Sequence, residues 1–275
     1  MPLDQTAIDD LVELLAEAGR NEVMPRFRTL DAGSIRRKTS RADLVTEGDE
    51  AAERMITDAL RKRYPHAHIV GEEAVSADPS VLEGLGEAEL AFVIDPIDGS
   101  FNFASGLSLF AIMLAVVEKG ETVAGIIHDP VNGDQAVAER GGGAFMTDGN
   151  GHSRRLAVAE PVELAQMAGV VSWQYFEEPE RSRIAANHTK VLSPLNYKCA
   201  GHEYRLLVQG RADFAAYSKT MPWDHLAGLL IHAEAGGYSA KLDGTPYRAG
   251  DKAGGLLAAP DRESWQMIRH AIWED

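Results

Sequence analysis

Two aspartates three residues apart form the sharpest chemical signal in the chain. Residues 95–100 read Asp-Pro-Ile-Asp-Gly-Ser and directly follow LAFVI at 90–94, which predicts a buried strand. Pro96 fixes its φ angle, and Gly99 permits a backbone conformation that other residues resist. Two carboxylates this close repel each other. Because Asp-Gly is also common in turns, the segment alone fits either a turn or an oxygen-ligand site of the kind that magnesium prefers.

Three further acidic positions fall at the ends of predicted elements. The pair Glu72-Glu73 follows a short predicted strand. Asp49 and Asp224 each stand at the start of a predicted helix. Taken singly, adjacent glutamates indicate a solvated pair, and an aspartate at a helix start indicates an N-cap. Their joint occurrence at element ends is what a multi-carboxylate metal site would look like.

The elements that must position these side chains are a mixture of helices and strands. Apolar residues recur at helical spacing through residues 6–27 and again from 49 to about 64. Two apolar runs, 109–117 and 122–128, flank a Lys-Gly pair and predict a hairpin. Strand-like and helix-like segments alternate beyond residue 160. This mixture predicts an α/β or α+β protein built from layered sheets and helices.

A polar, loop-like stretch around residues 150–160 predicts a boundary between two halves. The N-terminal half, residues 1–152, would be an α+β unit with most of the acidic positions. The C-terminal half, residues 153–275, would be an α/β unit that carries Asp224.

The composition excludes several classes of protein. The 275 residues are 45% apolar and carry 27 basic and 42 acidic side chains, which gives a net charge of −15. That apolar fraction is too high for a disordered acidic chain. The single cysteine, Cys199, excludes an intramolecular disulfide. The acidic balance argues against DNA or anionic membranes as partners, so an anionic substrate would need bound cations.

We expect no export or membrane segment. The first ten residues, MPLDQTAIDD, have neither the basic nor the apolar region of a signal peptide. The longest apolar run, residues 107–117, is shorter than the about 20 residues that span a bilayer. A cytoplasmic location is the resulting expectation.

Several motifs occur together in the order and spacing of one protein family. They are ADLVT at 42–46, GEE at 71–73, DPIDGSFNF at 95–103, ERGGGAF at 139–145 and WDHLAG at 223–228. On these segments the chain closely resembles the inositol monophosphatase family of magnesium-dependent, lithium-sensitive phosphatases. The resemblance implies alternating layers of helices and sheets, an active site between the two halves, a small phosphorylated metabolite as substrate, and a homodimer.

The resemblance assigns metal ligands by position. Glu72, Asp95 and the Ile97 carbonyl would hold a first magnesium ion. Asp95, Asp98 and Asp224 would hold a second. Glu73 would orient a third, water-coordinated ion, so the resemblance implies two or three magnesium ions. Glu72 is also implied to be catalytic.

The resemblance also assigns the residues that contact the attacking water and the phosphate group. Asp49 and Ser100 would position and deprotonate the attacking water. The backbone N–H groups of Gly99 and Ser100 would receive phosphate oxygens, as helix N-termini do. Asp98 and Asp224 would contact the substrate as well. Two metal ions can stabilise both the attacking and the leaving oxygens of a phosphate ester.

Three segments depart from the family pattern. Ser100 stands where threonine is usual, which keeps the hydroxyl and loses the methyl group that restricts its rotamer. Residues 198–201, KCAG, replace the usual small-residue turn. Residues 217–219, YSK, lie where members that favour inositol phosphate carry a glutamate. These departures leave the substrate open between inositol monophosphate, a related sugar or polyol phosphate, and a bisphosphate such as fructose 1,6-bisphosphate or adenosine 3′,5′-bisphosphate.

Two rival interpretations are weaker. The nucleophile loop of haloacid dehalogenases also has Asp-Gly-Ser after a strand, but its two aspartates are two residues apart and near the chain start. A regulatory protein that retains the fold and binds a partner is the alternative of another class. The charge of −15 argues against direct nucleic-acid binding by such a protein, and the complete set of carboxylates argues for catalysis.

Overall fold

Eight α-helices and fourteen strands form the regular structure of the residues that the computed structural model describes, which are 5–29, 35–37, 44–251 and 253–274. The helices are α1 Gln5–Ala18, α2 Glu47–Arg63, α3 Glu72–Ala77, α4 Ser100–Ala104, α5 Glu180–Asn187, α6 Ala200–Leu207, α7 Pro222–Glu234 and α8 Arg262–Arg269. The strands are β1 Ile35–Arg37, β2 Leu44–Thr46, β3 His68–Gly71, β4 Ala91–Asp98, β5 Ala111–Glu118, β6 Glu121–Asp129, β7 Asp134–Glu139, β8 Gly143–Thr147, β9 Ser153–Arg155, β10 Ala168–Val171, β11 Ser193–Leu195, β12 Phe214–Tyr217, β13 Tyr238–Lys241 and β14 Leu256–Ala259.

The first large sheet has seven strands in the order β3-β4-β5-β6-β7-β8-β9. Only β3 and β4 pair in parallel, and the expected hairpin between β5 and β6 is confirmed. Along β4, Ala91 and Val93 pack into one core while Phe92 and Ile94 pack into another. A strand covered on both faces has a continuous apolar sequence, which explains the LAFVI run.

The second large sheet has five strands in the order β11-β10-β12-β14-β13. β10 runs parallel to both of its neighbours, and β14 runs antiparallel to β12 and β13.

Helices separate and cover the two sheets. Ile8 of α1 and Ile56 of α2 pack with Phe92 on one face of the first sheet. Tyr204 of α6 and Ile231 of α7 belong to a core that includes residues of both sheets. The helices α5 and α8 pack on the remaining face of the second sheet. The alternating helix and sheet layers expected from the sequence are therefore confirmed.

Several element ends differ from the sequence-based expectation. The helix predicted over 6–27 is α1 followed by a π-helical segment, Gly19–Val23, and a 3₁₀ turn, Met24–Arg26. Neither predicted N-cap is one. Asp49 is the third residue of α2, whose N-cap is Thr46, and Asp224 is the third residue of α7, whose N-cap is Met221.

The boundary between the two predicted halves stays a prediction. The first sheet continues through β9, which ends at Arg155, and the second sheet begins at Ala168. Ala42 and Asp43 of the first sequence motif lie outside the described residues. Within the described residues, no helix combines the length and the apolar character needed to cross a membrane.

Candidate active site

A β-bulge at the end of β4 brings the two aspartates of the 95–100 segment to one place. Asp95 lies opposite Met113 of β5 and Asp98 lies opposite Ala111, so two residues of β4 face one residue of β5 between these pairs. In a regular strand, side chains three residues apart point to opposite faces. The extra residue of the bulge shifts the alternation of side chains by one position, so Asp98 points to the same face as Asp95. The two aspartates therefore share a face of the sheet although they are three residues apart.

Asp224 joins these aspartates from the first turn of α7. One carboxylate oxygen from each of Asp95, Asp98 and Asp224 lies within 4.8 Å of the others. The three come from a strand of the first sheet and from the helix that packs between the sheets. The contact is not visible in the sequence, because Asp98 and Asp224 are 126 positions apart.

Burial and mutual repulsion make this cluster unfavourable without a cation. Burial, followed by the charges of Glu72 and Asp98, raises the pKa of Asp95 well above its usual range. The same causes raise the pKa of Asp224. Burial raises the pKa of Asp98 to about 6, although hydrogen bonds from Cys199, Gly201 and Ala200 lower it. Because the donors are all carboxylate oxygens, the set fits a hard divalent cation such as magnesium.

Glu72 lies beside the three aspartates without belonging to their tight group. It is the first residue of α3, directly after β3, and it is half-buried. Its negative charge raises the pKa values of Asp95, Asp98 and Asp224, so it is close enough to act on the same ion.

Glu53 holds the turn that presents Glu72, and the sequence analysis missed it. Its carboxylate accepts the backbone N–H groups of Glu73 and Ala74, each at 2.8 Å. A Cβ at Gly71 would approach the Glu53 carboxyl carbon to 2.2 Å, so a larger residue there would displace this carboxylate from the turn. Within α2 the residue looks like one more acidic side chain, and nothing local in the sequence marks it.

Asp49 and Ser100 form a short chain of hydrogen bonds. Asp49 Oδ2 accepts from the backbone N–H and hydroxyl of Thr46 at 2.8 and 2.5 Å, which completes a capping box at the start of α2. The Ser100 hydroxyl lies 3.0 Å from both Asp49 Oδ1 and the Ile97 carbonyl oxygen. Burial raises the pKa of Asp49 to about 6, against the lowering effect of the Thr46 hydroxyl.

Gly99 makes the start of α4 possible. Its φ of 89° lies in the left-handed region, where glycine is strongly preferred. A Cβ at this position would also meet the Leu109 carbonyl oxygen at 2.9 Å. The chain can therefore turn sharply from β4 into α4, and the N–H groups of the first helical turn have no helical carbonyl to bind.

A second anchor fixes Asp98 to α6. Asp98 Oδ2 accepts the Gly201 N–H at 2.5 Å and the Cys199 thiol at 3.0 Å. Cys199 is buried, at 2% exposure, and this burial raises the pKa of its thiol well above the usual value.

His225 is a structural residue of the cavity wall. It is only 1% exposed. Its Nε2 lies 2.9 Å from the Lys219 carbonyl oxygen, so Nε2 carries the hydrogen, and Nδ1 accepts from the Tyr204 hydroxyl at 3.1 Å. Burial lowers the pKa of His225 to about 4, which keeps the ring neutral.

The ligand carboxylates and the start of α4 line one cavity of about 420 Å³. Its lining includes Glu72, Asp95, Asp98, Ser100 and Asp224. Asp49 is buried behind Ser100. The structure thus brings together every residue that the sequence analysis assigned to the site.

The same cavity has a second group of lining residues, which includes Glu203, Tyr217, Lys198 and Lys219. The sequence analysis noticed the last three only as departures and missed Glu203. Burial raises the pKa of Glu203 to about 7, although the Tyr197 N–H donates to it at 3.0 Å. No pattern in the sequence separates Glu203 from an ordinary polar residue of α6.

Comparison with known proteins gives consistent matches over nearly the whole chain. The model of the inositol monophosphatase family matches residues 4–274. A Thermotoga maritima protein named fructose-1,6-bisphosphatase/inositol-1-monophosphatase is 34% identical over 250 residues, which cover 89% of this chain and 88% of that protein. Nus factor SuhB of Escherichia coli is 30% identical over 237 residues, 83% of each chain. The solved structure of a Thermotoga maritima IMPase superposes with a TM-score of 0.79 at 29% identity, and 98% of each chain is covered.

Proposed function

The chain belongs to the inositol monophosphatase family and is a phosphoric monoester hydrolase, and from this premise we propose that it is a magnesium-dependent enzyme for inositol monophosphate or a related small sugar or polyol phosphate. The observation that carries the proposal is the convergence of Asp95, Asp98 and Asp224 within 4.8 Å. Such a buried group of carboxylates is costly unless cations neutralise it.

We assign the metal ligands from their chemistry and position. Glu72, Asp95 and the Ile97 carbonyl would hold one magnesium ion, and Asp95, Asp98 and Asp224 a second; a third ion would complete the set. When bound, the ions polarise the phosphate and acidify water at the site. They also reverse the local field, so that an acidic cavity accepts an anionic substrate.

Ser100 and Asp49 are proposed to move the proton of the attacking water. The Ser100 hydroxyl donates to Asp49 Oδ1, at 3.0 Å, which leaves its oxygen free to accept a hydrogen bond from water. As the water attacks phosphorus, its proton passes to Ser100 Oγ while the Ser100 proton passes to Asp49. The ester P–O bond breaks, and the alcohol leaves with a proton taken up from solvent. Thr46 fixes Asp49 through two hydrogen bonds, so the acceptor oxygen is held in place.

The start of α4 is proposed to receive the phosphate. The N–H groups of Gly99 and Ser100 lie at the turn into α4, where unsatisfied donors and the helix dipole favour an anion. Asp98 and Asp224 complete the contacts to the substrate. Because these groups recognise only the ester end, they tolerate many alcohols.

The first prediction concerns metal removal. Excess chelator should abolish phosphate release from inositol 1-phosphate, and added magnesium should restore it, because the attacking and leaving oxygens both rely on the ions. Phosphate release is the measurement, and heat-inactivated protein is the control. Full activity in excess chelator would contradict the proposal.

A regulatory role is the second candidate, since one relative is named as a Nus factor. Partner binding without catalysis requires no magnesium and no turnover, so the chelator experiment separates the two functions. A homodimer, a cytoplasmic location, inhibition by lithium and the absence of nucleic-acid and membrane partners are further expectations that rest on the family and the acidic charge. Sedimentation analysis and activity measured in lithium chloride test the first and third of these.

A further inference from the structure

The segment before α6, residues 197–201, holds Asp98 from outside its own strand. The Gly201 N–H and the Cys199 thiol both donate to Asp98 Oδ2, at 2.5 and 3.0 Å. Lys198 in the same segment has a φ of 54°, in the left-handed region that residues other than glycine rarely adopt. Such a backbone persists only where the surrounding structure holds it. The position of the Asp98 carboxylate therefore depends on whatever fixes the 197–201 segment.

Asn102 of α4 fixes this segment through a backbone carbonyl. Its amide nitrogen donates to the carbonyl oxygen of Tyr197 at 2.7 Å and to that of Leu109 at 2.8 Å. Both partners are carbonyl oxygens, so the nitrogen of the amide must face them, and both of its N–H groups are used. Asn102 is only 3% exposed, which shields these hydrogen bonds from solvent.

Glu203 holds the same residue from the other side. Its buried carboxylate accepts the Tyr197 N–H at 3.0 Å. Tyr197 is therefore bonded through its N–H to α6 and through its carbonyl to α4. The bond from Glu203 stays within the unit that carries the donors to Asp98. The bond from Asn102 connects that unit to a different helix.

That helix also carries Ser100, the proposed acceptor of the proton from water, two residues before Asn102. Gly99, directly before α4, lies against the same neighbouring segments. A Cβ at Gly99 would lie 2.9 Å from the Leu109 carbonyl oxygen and 3.1 Å from Cys199 Cβ. The proposed proton path and the donors that hold Asp98 are thus packed against each other, and the Asn102 amide joins them.

We propose that Asn102 is a positioning residue, which keeps Ser100 and the Asp98 carboxylate at a fixed separation by tying the 197–201 segment to α4. This inference rests on the proposed phosphatase function and adds a residue to its machinery. Asn102 is not among the residues that line the cavity, so it acts through its neighbours. Without its amide, the segment loses this link to α4, and the donors to Asp98 shift relative to Ser100.

The test uses Asn102→Leu, which has a similar shape but no donor. Isothermal titration calorimetry measures the dissociation constant for Mg²⁺ alone, and steady-state kinetics with inositol 1-phosphate measures kcat and KM. We expect the Mg²⁺ dissociation constant to rise and kcat to fall, each by about 10–100-fold, the usual loss when outer partners of metal ligands are removed. The change in KM should be smaller. Asn102→Ser keeps one short donor and should give a smaller loss in the same direction.

Asn187→Leu is the matched control. The Asn187 amide also donates to a backbone carbonyl, that of Ile272 at 3.1 Å, but Asn187 belongs to α5 and lies outside the cavity. This variant should lower the free energy of unfolding, measured in urea, and leave kcat and the Mg²⁺ dissociation constant unchanged.

Normal Mg²⁺ affinity and kcat in Asn102→Leu would overturn the inference, and so would equal losses in Asn187→Leu. If the leucine variant at position 102 does not fold, the serine variant is judged by the same outcomes. A wild type that neither binds Mg²⁺ nor hydrolyses any ester would instead reject the proposed function, and this inference with it.

Discussion

Ser100 is the residue whose chemical contribution can be isolated most directly. Its hydroxyl bridges Asp49 and the Ile97 carbonyl oxygen at 3.0 Å each. Ser100→Ala removes the proton path but leaves the backbone N–H groups of α4. We therefore expect kcat to fall by about 10²–10⁴, the usual range for acid–base assistance, with a smaller change in KM. Steady-state kinetics measures both parameters.

The matched variant is Ser100→Thr, which keeps the hydroxyl and restricts its rotamer. It should retain most of the activity. An inactive threonine variant beside an active alanine variant would remove Ser100 from the mechanism.

Local signals predicted the site residues better than their roles. The 95–100 segment indicated that two carboxylates lie close together, and a β-bulge between Asp95 and Asp98 places them on one face of the sheet. The role of Asp49 as an N-cap was wrong, because Thr46 supplies the cap and Asp49 closes the capping box from the third position. Glu53 was missed because its carboxylate binds a backbone N–H 20 residues further along the chain, and Glu203 because its burial at the cavity depends on tertiary packing.

At the scale of elements, α7 carries a site residue at one end and a fully buried histidine near the other. His232 is fully buried, and neither ring nitrogen has a hydrogen-bond partner among the described residues. Its ring packs so closely on Gly237 that a Cβ there would lie 2.2 Å from it. Burial lowers the pKa of His232 to about 4, so the ring is neutral in the folded protein.

His232 should make folding stability depend on pH. In the unfolded chain a histidine has a pKa of about 6.5, so between pH 6.5 and 4 the unfolded state binds more protons. The stabilisation is present above pH 6.5 and is lost as the pH falls through about 4, in total about 3 kcal/mol. His232→Leu should remove this loss. Urea unfolding at several pH values measures it.

The exposed His66 provides the control for this measurement. His66→Leu should follow the wild-type profile of unfolding free energy against pH. A His232→Leu profile parallel to the wild type would contradict this, because it would show that the pKa of His232 is the same in the folded and the unfolded protein.

At the scale of the molecule, the site exists because two distant parts of the chain meet. The end of β4 supplies Asp95 and Asp98, and α7 between the sheets supplies Asp224. The spacing of apolar residues predicted layers of sheets and helices, because buried strands and amphipathic helices have distinct hydrophobic patterns. It could not predict which layers face each other, and the resemblance to a family supplied that information.

The most direct test of the shared metal site is the magnesium dependence of Asp224→Asn. A neutral amide is a poorer ligand for a hard cation, and Asp224 is proposed to hold the same ion as Asp95 and Asp98. We expect kcat/KM for inositol 1-phosphate to fall by at least about 100-fold and half-saturation to require more magnesium, while His66→Leu behaves as wild type. Near-normal turnover with unchanged magnesium affinity in Asp224→Asn would contradict a site built from both halves of the chain.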